Sequence, residues 1–176
     1  GNYSSTKVLD EVKKLSDSNE RLKLLRLWLS NNNKHNKDID LVIDKALDEL
    51  VLTSSESTLS FDVLKELSFQ LANIKEFDKK NKLYNRFKAL EKDLVDLGLT
   101  KDKYIYQLNI FHAEFTLNKE KSIPFLNKII KEVESMTDLL IKLESYSEIY
   151  AKILPLKHIS ISPKSSFIYH KIIEIS

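Results

Sequence analysis

The sequence predicts an all-α fold: an α-α superhelix (solenoid) of about four antiparallel helical hairpins, with a compact helical bundle as the alternative. Apolar residues recur at helical spacing along nearly the whole chain, with capping residues ahead of the runs. Two glycines and three prolines in 176 residues leave too little turn chemistry for a β-sandwich. Helix starts near Ser18, Ser57, Thr100 and Thr137, and a second series near Asp38, Glu76, Ser122 and Ser162, each recur about every 40 residues. A hairpin cannot bury its own apolar face, so stacked neighbours are the natural solution.

The elements follow in order. A short first helix carries Val8, Leu9, Val12 and Leu15, and Ser18 is placed to cap a run with Leu22, Leu25, Trp28 and Leu29. The stretch NNNKHNKD breaks that run, and Asp38 opens a helix with Ile39, Val42, Ile43, Ala46, Leu47 and Leu50. Ser57 or Ser60 caps the stripe Leu64, Leu67, Leu71 and Ile74; its partner carries Leu83, Phe87, Leu90, Leu94 and Leu97, stopped by Gly98. Thr100 caps a helix with Tyr104, Leu108, Phe111 and Phe115 on one face. Ser122 caps the next, with Pro124 in its first turn and Phe125, Leu126, Ile129, Ile130 and Val133 on its stripe. Thr137 caps Leu140, Leu143, Ile149, Tyr150 and Ile153. After Pro155 a loop is expected, with a strand-like alternation over His158–Ser162, before Ser162-Pro163 opens a last helix through Phe167, Ile168 and Ile172. Residues 1–154 thus read as one helical-repeat domain, with the loop and terminal helix of 155–176 packing on it.

Composition narrows the function classes. A chain of this length buries roughly 70% of its unfolded surface, so it needs neither metal nor disulfide to hold a core. Cysteine is absent, which excludes thiolate catalysis and zinc–thiolate sites. The basic set is almost all lysine, with only Arg21, Arg26 and Arg86 to offer bidentate phosphate contacts, so nucleic acid is not the expected partner. No stretch approaches the length of a membrane span and no signal-like segment opens the chain. The cytoplasm is the expected compartment, although a start at Gly1 leaves room for a removed signal.

The hairpin around LSFQLANIKEFDKKNKLYNRFKAL resembles a tetratricopeptide repeat. Leu67-Ser68 matches the family's leucine and small residue, Phe77 its aromatic where the second helix begins, and Tyr84 a further aromatic. LNKEKSIPFL is similar to a second copy, with Ser122 as the small residue. Lys80 and Phe87 occupy positions the family keeps small, Lys75 replaces the turn glycine, and the spacing overlaps that of HEAT and armadillo repeats. The resemblance implies an α-α superhelix that binds a peptide or protein on its concave face. The family's carboxylate clamp maps to Lys65 and Phe69: the lysine is present and the asparagine is not.

Chemistry is sparsely signalled. His35, His112, His158 and His170 are dispersed without an i, i+4 pair. Asp40, Asp44 and Asp48 form an acidic ridge, read as a solvated face, as a steering surface for a lysine-rich partner, or as oxygen ligands for a hard cation that a straight helix cannot close around. Glu132/Glu134 and Asp93/Asp96 lack the converging geometry of acid–base pairs. Neither catalysis nor a cofactor or metal is expected. Tyr106, pointing away from the Tyr104–Phe111–Phe115 face, reads as an exposed anchor with Asn109 beside it, and Lys65, Gln70 and Asn73 as donors along a groove.

The expected function is a non-catalytic protein- or peptide-binding module. The apolar tail FIYHKIIEIS suggests a piece of a larger chain or a homodimer through the C-terminal segment. The alternatives are a ligand- or peptide-sensing domain of a transcription regulator and a secreted or surface helical protein.

Overall fold

A computed structural model describes residues 4–31, 38–52, 57–94 and 101–176. Among them the fold is all-α, without strands. The chain divides into two compact units, Gly1–Leu97 and Gly98–Ser176. The first holds α1 (Ser5–Lys13), α2 (Ser18–Asn31), α3 (Ile39–Leu52), α4 (Ser57–Leu71) and α5 (Phe77–Leu94); the second holds α6 (Lys101–Leu117), α7 (Lys119–Glu134), α8 (Leu139–Ile153) and α9 (Ser162–Ile175).

Polar side chains start these helices at positions slightly different from those expected. Ser4 accepts from the Lys7 amide ahead of α1, and Asp17 rather than Ser18 accepts at the start of α2, from the Asn19 amide. Asn118 caps α7 through the Lys121 amide, so Ser122 lies inside the helix, where its hydroxyl donates back to the Lys119 carbonyl at 2.7 Å. Pro124 then falls beyond the first turn and removes one helical hydrogen bond. Asp138 rather than Thr137 caps α8, accepting from the Leu140 and Ile141 amides at 3.0 and 3.1 Å. Thr100, Gly98 and Leu97 lie outside the described residues.

Within the first unit each helix packs on its neighbour and on the next but one: α1 on α2 and α3, α2 on α3 and α4, α3 on α4 and α5, and α4 on α5. This is the contact pattern of stacked hairpins. In the second unit α6 packs on α7 and α8, α7 on α8, and α8 on α9, so residues 155–176 join that unit through α8. The predicted stripes supply the interior. Leu22, Leu25, Trp28 and Leu29 of α2, Val42, Ile43, Ala46, Leu47 and Leu50 of α3, and Leu64, Leu67 and Leu71 of α4 are buried. In the second unit Tyr104, Phe111, Phe115, Leu126, Ile129, Val133, Tyr146, Ile149, Ile153 and Ile168 form one cluster. Full burial of each large apolar side chain is worth about 2 kcal/mol, enough to fix helices that would be marginal alone.

The segment expected to alternate as a strand is a turn. The His158 carbonyl accepts from the amides of Ile161 and Ser162, and its imidazole Nδ1 accepts from the Ser160 amide at 3.1 Å. The ring stands edge-on to Phe115, with Nε2 3.3 Å from a Glu120 carboxylate oxygen. Alternation of five residues is too short to outweigh these local bonds.

The acidic ridge on α3 is partly solvated, with Asp44 and Asp48 about half exposed, and it also makes interhelical ion pairs. Lys79 of α5 lies 3.6 Å from Asp40, and Arg86 of α5 donates to both Asp44 and Asp48. Deeper in the unit, Arg21 donates through Nε to Glu49 Oε1 at 2.8 Å and through Nη1 to the Leu15 carbonyl at 2.9 Å, while Lys45 stands 3.2 Å from the same carboxylate oxygen. Glu49 is 2% exposed, so its charge depends on these partners. Among the described residues no helix is long and apolar enough to cross a membrane.

Arg21→Ala is expected to lower stability by on the order of 3 kcal/mol in urea unfolding, because a buried carboxylate loses its main partner. Tyr146 presents the reverse case: it is fully buried, and its hydroxyl has no hydrogen-bond partner among the described residues. Tyr146→Phe is expected to be neutral or to raise stability by up to about 1 kcal/mol in the same assay, since it removes an unsatisfied group without changing shape.

Candidate functional site

The five residues expected to line a groove behave unequally. Gln70 is buried: its amide nitrogen donates to the Leu29 carbonyl at the end of α2 at 2.8 Å and to Glu66 at 3.1 Å. Asn73, half-buried, donates to the Gln70 side-chain oxygen at 3.4 Å, so these two amides are brought together, spent on each other and on a helix end. Lys65 holds its ammonium 5.8 Å from the centre of the Phe61 ring. In the second unit Tyr106 is 3% exposed and Asn109 is 5% exposed, which corrects the expectation of an accessible tyrosine anchor. Tyr104, Tyr106, Leu108, Asn109, Ile110, Phe111, Ala113 and Phe115 are all buried, so burial on α6 is not confined to one face. The clamp position Phe69 is exposed, as is Phe77, whereas Leu67, Ser68, Tyr84 and Ser122 are buried.

The remaining chemical candidates are equally quiet. Among the described residues no three His, Asp or Glu side chains are grouped to hold a metal ion. Glu132 has one buried carboxylate oxygen without a hydrogen-bond partner there, and burial together with this carboxylate pushes the Tyr104 phenol up. Burial, reinforced by Glu134 and Glu174, likewise pushes the Tyr146 phenol up. Burial lowers the pKa of Lys80, which is 7% exposed and donates to the Ala72 carbonyl at 3.3 Å; its surroundings are a helix end rather than a substrate pocket. His35 and the Asp96 carboxylate lie outside the described residues.

What the second unit does expose is apolar surface and a groove. On α9, Ile168 is buried while Tyr169 and Ile173 are 48% and 57% exposed, with His170 between them stacked edge-on against Tyr169 at 5.8 Å. The Tyr150 ring of α8 lies tilted against Tyr169, 5.9 Å between centres. Where α9 begins, Pro163, Lys164 and Phe167 face Asn127, Ile130, Lys131 and Glu134 of α7 across an open groove of about 340 Å³. Phe167 and Ile130 read as stripe residues in the sequence, but nothing in the spacing of α7 announces that its Lys131 meets Lys164. That juxtaposition exists only once α8 has brought the two helices together. A scan against protein-family models and searches of the curated proteins and the solved structures found no match to this chain.

Because Gln70 supplies the donor for a helix-end carbonyl, Gln70→Ala is expected to cost about 1–3 kcal/mol in thermal or urea unfolding. A groove residue would leave stability unchanged, so the measurement separates the two roles.

Proposed function

We propose that this protein is a non-catalytic helical module that binds another protein or a peptide. The observation that carries the reading is the outer face of α9, where Tyr169 and Ile173 remain about half exposed on a helix that packs on α8 through Ile168. Aromatic and large aliphatic side chains held open in this way are the residue types that anchor protein interfaces, and contiguous apolar exposure of this type marks interaction sites. Leu139, Leu140 and Ile141 at the start of α8 and Ile159 in the α8–α9 turn add exposed apolar side chains in the same unit. Two of the three arginines are engaged in interhelical ion pairs, which leaves little bidentate recognition for nucleic acid. A second copy of the chain, meeting α9 face to face, belongs to the same reading.

The experiment is an affinity pull-down from the native lysate with the parent and a Tyr169→Ser, Ile173→Ser variant, accompanied by sedimentation of each. A partner, or a dimer, retained by the parent and lost by an equally stable variant is the expected result. A monomer that captures the same background with both proteins would overturn the α9 assignment.

A further inference from the structure

The groove between α7 and α9 has a composition that selects a ligand class. Its apolar part is Ile130, 7% exposed at the base, with Pro163 and the 40% exposed Phe167 on the α9 side. The Phe167 ring is held in place by the Lys171 ammonium, 5.3 Å from its centre, and Lys171 lies 3.6 Å from a Glu174 carboxylate oxygen. Two further cations, Lys131 and Lys164, line it from α7 and from α9. Among the described residues neither has a carboxylate within ion-pair distance. The cations of α5 that face α3 contrast with them, each meeting an aspartate. Glu134 adds one carboxylate to the lining and Asn127 offers an amide donor and acceptor.

A cleft of about 340 Å³ accommodates one bulky side chain with main chain on either side. Its apolar base suits a leucine or phenylalanine, and the unpaired ammonium groups from both helices suit carboxylates flanking that residue in sequence. We infer that the α7–α9 groove docks a short acidic peptide segment, with one large apolar side chain against Ile130 and Phe167 and its neighbouring glutamates or aspartates paired with Lys131 and Lys164. This rests on the protein-binding reading and adds to it a second surface, distinct from the outer face of α9, and a partner chemistry.

The test is fluorescence anisotropy with three labelled peptides that share a central Leu-Phe pair flanked by glutamates, by glutamines or by lysines. The glutamate peptide is expected to bind best and to weaken as salt is raised. A Lys131→Glu, Lys164→Glu protein is expected to lose roughly fivefold affinity for it, as two exposed ion pairs allow, and to prefer the lysine peptide. Phe167→Ser is expected to weaken all three. Thermal unfolding of each variant checks that the fold is kept, and Lys131→Gln, Lys164→Gln replaces the reversal if it is not. Equal binding of the glutamate and glutamine peptides, no binding of any, or a parent dimer that Phe167→Ser dissociates would overturn the proposal. If a partner captured through Tyr169 and Ile173 persists in the charge-reversed protein while the peptides fail, the groove assignment falls and the module reading stands.

Discussion

Several helix ends in this protein are closed by side chains from other helices, and much of its internal polar structure follows from that constraint. An α-helix leaves its last four carbonyls without intrahelical donors, and many helices solve this with a left-handed glycine. This chain has two glycines, and no described residue adopts a positive φ. Some ends tighten into i→i+3 bonds, as Leu15 to Val12 after α1 and Ile74 to Leu71 after α4. Others accept from side chains close in sequence, as Leu27 from Asn31 and Glu132 from Ser135. Further donors come from across an interface: Arg21 of α2 to Leu15 after α1, Gln70 of α4 to Leu29 near the end of α2, Lys80 of α5 to Ala72 after α4, and Lys142 of α8 to Glu134 ending α7. Each contact ties one helix terminus to a later helix, so local termination and tertiary packing depend on one another.

That division of labour shapes the surface. Polar and charged groups that look available on a helical wheel are committed inside the first unit: Gln70 and Asn73 to a helix end, Arg21 to Glu49, Arg86 and Lys79 to the α3 aspartates. Exposed pairs among these contribute little individually, but Glu49 is nearly inaccessible and its carboxylate is tolerable only with Arg21 and Lys45 beside it. The second unit distributes its groups differently. Its interior is a largely aliphatic and aromatic cluster, and it leaves Lys131, Lys164, Tyr169 and Ile173 outside that cluster.

The proposed binding function draws on this asymmetry. Interface anchors need rigid support, because ordering a mobile side chain offsets part of the affinity it supplies. Tyr169 has such support from Tyr150, and Phe167 from Lys171. The His158 turn, held by its own carbonyl and imidazole and by the edge of Phe115, fixes where α9 begins. The placement of Pro163 and Phe167 opposite α7 therefore follows from the packed interior rather than from a free loop.

Helical periodicity is a local property, and the helices with their buried stripes are legible from it: Leu22, Leu25, Trp28 and Leu29 on α2, or Ile129, Ile130 and Val133 on α7, are inside as their spacing requires. Cap identity is less legible, because Asp17, Asn118 and Asp138 stand close to serines and threonines that compete for the role. The candidate site was largely illegible. A wheel separates two faces of one helix, and it cannot show that burial on α6 is not confined to one face and takes in Tyr106 and Asn109. Nor can it show that Gln70 meets a carbonyl 41 positions away in sequence, or that lysines on α7 and α9 share a groove. The sequence by itself determined that the chain is helical and which stripe of most helices turns inward. Only the tertiary structure decided which polar groups are consumed by that packing and which are left at the surface, because that choice is made by contacts between residues far apart along the chain.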